Sequence, residues 1–390
     1  MKKNRYVYLD SNATTRVDDE VAKYILNFYT NDYAVASSQF SHTPGIRAKD
    51  AIDKSRYLIA KAINSSPEEV IFTSGATESN NLAIKGVAFA NLNSKRKKII
   101  VSKIEHFSVL HTAESLEKFG FKVEYLNVNH EGFVDLNHLA SLMDENTLLV
   151  SIMFANHEVG TIQDIKNASE IVHKYGAYFH TDAAVAFLQV PIDVNLLGID
   201  LMSITAHKIY GPKGVGALYI RKGTKIEKII EGGYQEFNLR AGTENVPGIA
   251  GFGKAVEIFS QEDLKKVRNL RDYLYEQIKE NISGVYLNGT SDFNKRIPNN
   301  LNVSFDYIEG ESVVLHLDMR GIAVITGSAC FSRSLQASHI LLAMGFTHER
   351  AHGSIRFGLH KYLTKEDIDW TVENVKEVVE KLRKLSPLSK

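Results

Sequence analysis

Through its first two thirds the chain alternates short apolar runs with amphipathic stretches, and few architectures accept that alternation. The runs at 70–73, 98–103, 121–126, 148–155, 178–181, 201–205 and 216–220 have the length and composition of strands, the one at 148–155 being of the kind buried on both faces. Between two of them Ala168, Ile171, Val172 and Tyr175 recur at i, i+3, i+4 and i+7, which predicts a helix closed by Gly176. The stretch 78–90 reads as another helix. Strands joined through helices return parallel, so the expected fold is α/β, a mainly parallel sheet covered by crossover helices. The last third has a different pattern. Strands are expected at 301–305, 321–325 and 354–359, and Thr364-x-x-Asp367 resembles a capping box. Behind it Ile368, Val372, Val375, Val379 and Leu382 form one apolar stripe on a terminal helix. A smaller α+β domain is expected to begin near residue 258.

Composition then removes whole classes of function. At 390 residues the chain is long enough for two domains with a large core. Its 46 basic residues cancel 46 acidic ones, which leaves no basic surplus for nucleic acid or a membrane surface. The basic opening Met1-Lys2-Lys3-Asn4-Arg5 is followed by an apolar run at 6–9 that stops at Asp10, too short for a secretory signal. No segment approaches the ~20 apolar residues of a membrane span. One cysteine, Cys330, forbids an internal disulfide and a thiolate-rich metal cage, so the expectation is a cytoplasmic protein without a metal centre.

Two nucleotide signatures are absent. No G-x-x-x-x-G-K-[ST] occurs, and Gly214-Val215-Gly216-Ala217 enters a strand where a dinucleotide fingerprint would leave one. The turn Thr73-Ser74-Gly75-Ala76-Thr77 instead sets small residues between a strand and a helix, where backbone amides and the helix dipole accept a phosphate; by itself it also fits an ordinary strand-to-helix loop. Asp182 ends one strand, at the side of an open sheet where ligands bind, although a helix N-cap is the plainer role for it. Lys208 ends another, beside Thr205 and His207 and before a Gly-Pro turn; taken singly it could be a solvated surface charge. Together, amine, carboxylate and phosphate cradle are what pyridoxal phosphate needs: a Schiff base, an anion at the pyridine nitrogen and donors for the phosphate.

Eight segments carry a wider resemblance: 9–15, 72–81, Glu105-His106, Glu158-Val159-Gly160, His180-Thr181-Asp182-Ala183, 207–214, 240–245 and Gly327-Ser328-Ala329-Cys330. In register from residue 8 to about 386, they make the chain similar to the cysteine desulfurases of the NifS/IscS type. The resemblance implies the type I pyridoxal-phosphate transferase fold, with a large domain (16–257) around a seven-stranded sheet and a small domain from 1–15 and 258–390. It also implies that Lys208 forms the Schiff base, that Asp182 faces the pyridine nitrogen and that His106 stacks on the ring and moves protons. Ala76, Thr77, Thr205 and His207 would hold the phosphate, and Thr243 would reach the phosphate of the other subunit of a homodimer. Arg356 would clamp the substrate carboxylate bidentately, with Asn12 nearby. Cys330 would take sulfur from L-cysteine as a persulfide, for an iron–sulfur scaffold or another sulfur-acceptor protein. An ordinary thiol, with a pKa near ~8.5, needs a proton acceptor to do so at neutral pH.

Several positions depart from the family: Ser11, Ala34-Val35-Ala36, Tyr234 and Ala337. More consequential are His157 and Val185, which stand where asparagine and glutamine are expected beside the cofactor's phenolic oxygen. Valine forms no hydrogen bond, while His157, expected on the same strand face as its counterpart, can donate one. These changes keep two other readings open, a related pyridoxal enzyme such as a selenocysteine lyase or aminotransferase, and a weakly active regulatory paralogue.

Overall fold

The computed structural model describes residues 5–327 and 337–385. Its strands are β1 (Val7–Tyr8), β2 (Val70–Thr73), β3 (Lys98–Ser102), β4 (Lys122–Leu126), β5 (Thr147–Ser151), β6 (Tyr178–Asp182), β7 (Leu201–Thr205), β8 (Gly216–Ile220), β9 (Val285–Leu287), β10 (Asn300–Phe305), β11 (Ile322–Ala323) and β12 (Ser354–Gly358). A seven-stranded sheet runs in the order β2-β8-β7-β6-β5-β3-β4. β8 is antiparallel to both its neighbours, and every other pairing in this sheet is parallel. β10 pairs antiparallel with β12 and β9, and β1 pairs parallel with β11.

The near-continuous apolar character of these strands follows from burial on both faces. Along β2, Val70 and Phe72 enter one core while Ile71 enters the other; in β3, Ile100 points opposite to Ile99 and Val101; in β8, Ala217 and Tyr219 oppose Leu218 and Ile220. Helices Thr43–Ala62, Ile165–His173 and Val246–Glu257 cover the first face, and Ala76–Ala90 with Phe107–Ser115 cover the second. A separate core joins Val7 and Leu9, from the start of the chain, to residues of the helices Gln261–Asn281 and Lys365–Leu385 and of β10 and β12. The terminal helix opens as its sequence predicts: Thr364 and Asp367 exchange backbone-to-side-chain hydrogen bonds at 3.0 and 3.2 Å, and Ile368, Val372, Val375 and Val379 are buried.

The apolar run at 148–155 is not one strand. β5 ends at Ser151, and the amides of Ile152 and Phe154 then bond to the carbonyls of His180 and Asp182 before the chain turns at 157–159. His157 therefore sits in a turn and not on a strand face; apolar composition reported the burial of this stretch but not where its ladder stopped.

One buried ion pair holds the free edge of the large sheet. Arg56 forks onto Glu236 at 2.8 and 2.7 Å, and Glu236 also accepts the Phe72 amide of β2 at 2.7 Å. Both side chains are almost fully buried. Arg56→Ala would leave Glu236 as an uncompensated charge, with an expected loss of about 3–5 kcal/mol. A urea titration followed by tryptophan-independent far-UV dichroism should show the midpoint fall, and Glu236→Leu placed in the same variant should recover part of it.

Candidate active site

The C-terminal ends of β2, β6 and β7 and the turn after β5 converge on a cavity of about 590 Å3. Ligands gather at this side of an open α/β sheet because strand ends there deliver side chains while helix N-termini deliver free amides. At the end of β2 the helix Ala76–Ala90 begins after Gly75, whose φ of 151° is open to glycine and strained for other residues. Ala76 and Thr77 in its first turn line the cavity, as do Thr205, the last residue of β7, and His207 just beyond it. His207 Nδ1 lies 3.2 Å from the Thr14 hydroxyl, and burial lowers its pKa to about 4, so the ring is neutral.

Asp182, the last residue of β6, is held by two donors. Its Oδ1 accepts the Ala184 amide at 2.9 Å and its Oδ2 accepts Asn80 Nδ2 at 2.7 Å. The same Asn80 amide donates to Ser108 Oγ at 2.8 Å, and Ser108 approaches His106 Nδ1 with its hydroxyl at 2.8 Å and its own amide at 3.1 Å. With the Ser108 amide donating, Nδ1 is an acceptor, which in the neutral ring puts the hydrogen on Nε2. Burial holds His106 below the usual imidazole range; Asp182 acts in the opposite direction and Lys208 in the same one. Lys208, just past β7, lines the cavity and donates to the carbonyls of Asn12 and, at 2.8 Å, Ala13.

His157 is half-buried with its Nδ1 out of contact with solvent, and its pKa is held well below 6.5 by desolvation first and the neighbouring His106 second. The two imidazoles meet edge to face at 5.5 Å, and His157 Nδ1 has no hydrogen-bond partner among the described residues. Val185 lies on the same cavity wall. Arg356 of β12 donates to Asp10 at 2.8 Å and to the His157 carbonyl at 3.2 Å, and Asn12 Nδ2 donates to Asn299 at 3.3 Å. The fold thus brings together Asn12, Ala76, Thr77, His106, His157, Asp182, Val185, Thr205, His207, Lys208 and Arg356, all on one cavity. Thr243 is exposed and does not line it. Cys330 lies outside the described residues.

The sequence reading assigned no role to Asn80, Ser108, Asp10 or Glu105. Asp10, Asn80 and Glu105 stand inside segments that carry the family resemblance, so position alone could have flagged them; Ser108 becomes visible only through its contacts. An ammonium, a carboxylate fixed by two donors, free amides at a helix start and an unpaired buried imidazole nitrogen form a donor set that fits pyridoxal phosphate. Lys208 would hold its aldehyde, Asp182 its ring nitrogen, the turn at 75–77 its phosphate and His157 its phenolic oxygen.

Glu105 offers a test of this electrostatic layout. Its carboxyl is fully buried and accepts from Ser102 Oγ at 2.5 Å and the Met153 amide at 2.7 Å; burial pushes its pKa up to about 8. A folded-state pKa raised above the unfolded value favours the fold fully below the unfolded value near ~4.3 and progressively less as pH rises towards the folded one. Thermal midpoints should therefore decline between pH 5 and 8, and Glu105→Gln, which keeps the acceptor oxygen, should flatten that decline.

The comparisons with known proteins agree with this geometry. The family model "Aminotransferase class-V" matches residues 7–370. A cysteine desulfurase IscS of Dictyoglomus turgidum is 52% identical over 386 residues, 98% of this chain and 97% of that relative. A solved NifS-like protein superposes with a TM-score of 0.89 at 40% identity, covering 96% of this chain and all of the other. A second structure, SspA in complex with cysteine, gives a TM-score of 0.81 at 34% identity over 92% of this chain and 100% of that one. With the sheet order, the carboxylate at the end of β6, the lysine three residues past the end of β7 and a family match over nearly the whole length in agreement, the chain belongs to the class-V aminotransferase family.

Proposed function

We propose that the protein is a pyridoxal-phosphate-dependent cysteine desulfurase, which releases alanine from L-cysteine and keeps the sulfur as a persulfide on Cys330. The observation that carries this reading is the convergence of Lys208, Asp182, His106 and Arg356 on one cavity, in a chain whose single cysteine lies three residues beyond Gly327. When bound, the cofactor supplies an electron sink that stabilises negative charge on the substrate carbon. Arg356 orients the amino acid through its carboxylate, and the Asp10 contact holds the guanidinium in place for it. His106, locked by Ser108 with its proton on Nε2, moves protons at the cavity wall. The Cys330 thiolate attacks the substrate sulfur: an S–S bond forms, the C–S bond breaks, and the carbon keeps the electron pair until it is protonated to alanine.

Thr243 is exposed, and the segment leading to it exposes Tyr234 and Phe237. These features support a homodimer in which Thr243 completes the partner's phosphate site. No described helix is long and apolar enough to cross a membrane. The lone thiol supports work in the reducing cytoplasm, with an iron–sulfur scaffold or another sulfur-accepting protein as recipient.

With pyridoxal phosphate and L-cysteine, the purified protein should form alanine and, with a reductant, sulfide. Lys208→Ala should lose the borohydride-trappable cofactor, and an unchanged covalent adduct would sink its assignment. Cys330→Ser should retain cofactor absorbance and its response to cysteine but lose the persulfide seen by mass spectrometry.

At the phenolic edge, His157→Ala should weaken cofactor retention by ~1–3 kcal/mol, the cost of an unsatisfied polar group, and shift the pH titration of the visible band. Val185→Gln should shift that titration the other way. Because both side chains address one atom, the double variant should be non-additive. Unchanged titration and affinity in His157→Ala would remove His157 from the ring.

A further inference from the structure

Glu158 follows the cavity residue His157 and takes no part in the chemistry above, yet its carboxyl is buried at 2% exposure. Both its oxygens face the ends of the segment that carries Cys330. On the far end, Ser338 Oγ donates to Glu158 Oε2 at 2.8 Å, and the same hydroxyl accepts the Leu341 amide at 3.3 Å, capping the helix His339–Ala343. On the near end, Gly327 lies against the other oxygen so closely that a Cβ there would meet Oε1 at 1.9 Å. Oε1 has no hydrogen-bond partner among the described residues.

Each end is also tied to the site directly. Ile325, two residues before Gly327, pairs with the backbone of Arg356, at 2.8 Å from the Arg356 amide to the Ile325 carbonyl. His339, next to Ser338, reaches the Glu105 carbonyl at 3.1 Å, beside His106. Glu158 itself is immobilised, with its amide on Asn156 Oδ1 at 2.9 Å and its carbonyl accepting from Asn300 and Asn302 at 3.0 and 3.2 Å. A buried carboxyl with one unpaired oxygen is costly, so simple packing is a poor account of it.

We propose that the Glu158 carboxyl is the common anchor of both ends of the Cys330 segment, and that it is thereby a positioning residue for sulfur transfer. The inference rests on the reading of Cys330 as the sulfur acceptor. Gly327 is then required for space: only a residue without a side chain lets the near end rest on Oε1. Ser338 is required as the donor that fastens the far end.

The test is single-turnover formation of persulfide on Cys330 in the cofactor-loaded protein, followed by mass spectrometry, with cofactor absorbance and its response to L-cysteine recorded in parallel. Glu158→Ala should slow persulfide formation by about tenfold, the scale of a lost hydrogen bond to a carboxyl group, while the two absorbance readouts stay at wild-type values. Glu158→Gln, which retains an acceptor of the same shape, should restore the rate. Gly327→Ala should also be slow, and Glu158→Ala in the same chain should make it no slower, because both changes release one contact. Ser338→Ala, a smaller perturbation of the fold, should reproduce the slowing in part. A wild-type persulfide rate in Glu158→Ala, multiplying losses in the double variant, or parallel loss of cofactor from Glu158→Ala and Ser338→Ala would each overturn the inference. Absence of persulfide from wild-type Cys330 would instead overturn the functional reading, and the inference with it.

Discussion

Three consecutive carbonyls, those of His157, Glu158 and Val159, take their donors from the C-terminal part of the chain. Arg356 reaches the first, Asn300 and Asn302 the second, and Arg296 Nη1 the third at 2.6 Å. Such carbonyls, buried in a turn, have no ladder to join and would carry the full penalty of an unmade hydrogen bond. The need to satisfy them binds the turn after β5 to β10 and β12, and so fixes where the imidazole of His157 stands relative to the guanidinium of Arg356. Among the described residues Arg296 forms no ion pair in this seam. Burial lowers its pKa to about 9, so it remains a cation at neutral pH, spread over the carbonyls of Val159, Asn288 and Thr290.

Around the cavity, burial sorts the charges. It disfavours the protonated forms of His106, His157 and His207, while Lys208, Lys213, Arg356, Glu78 and Asp182 line the cavity and Asp10 pairs with Arg356 behind it. Arg356 would there offer a fixed counterpart to an amino-acid carboxylate, and Asp182 one to a cationic ring nitrogen. The Asp182–Asn80–Ser108–His106 chain joins the carboxylate to the imidazole, so a change of charge at one is felt at the other through two oriented dipoles.

Much of the local structure was legible in the residues. The strands at 70–73, 201–205 and 216–220 stand where the apolar runs put them, whereas the helix expected to run to Gly176 stops at His173, and Tyr175 and Gly176 (φ 64°) lie in the turn that follows. Runs and periods reported these elements because burial and repeat length act within one segment. The end of β5 was not legible, because residues 152–155 are as apolar as the strand before them and differ only in what their amides meet.

The sequence by itself determined the alternation of elements, the two-faced burial of the sheet, and the chemical kit of amine, carboxylate, imidazole, guanidinium and single thiol. Those properties follow from side-chain identity and short-range periodicity. Only the tertiary structure decided the strand order, the reversal of β8, the seating of Asp10 against Arg356 some 346 positions away, and the meeting of Gly327 and Ser338 on Glu158. These depend on which distant groups must satisfy one another once water is excluded, and no local pattern encodes that choice.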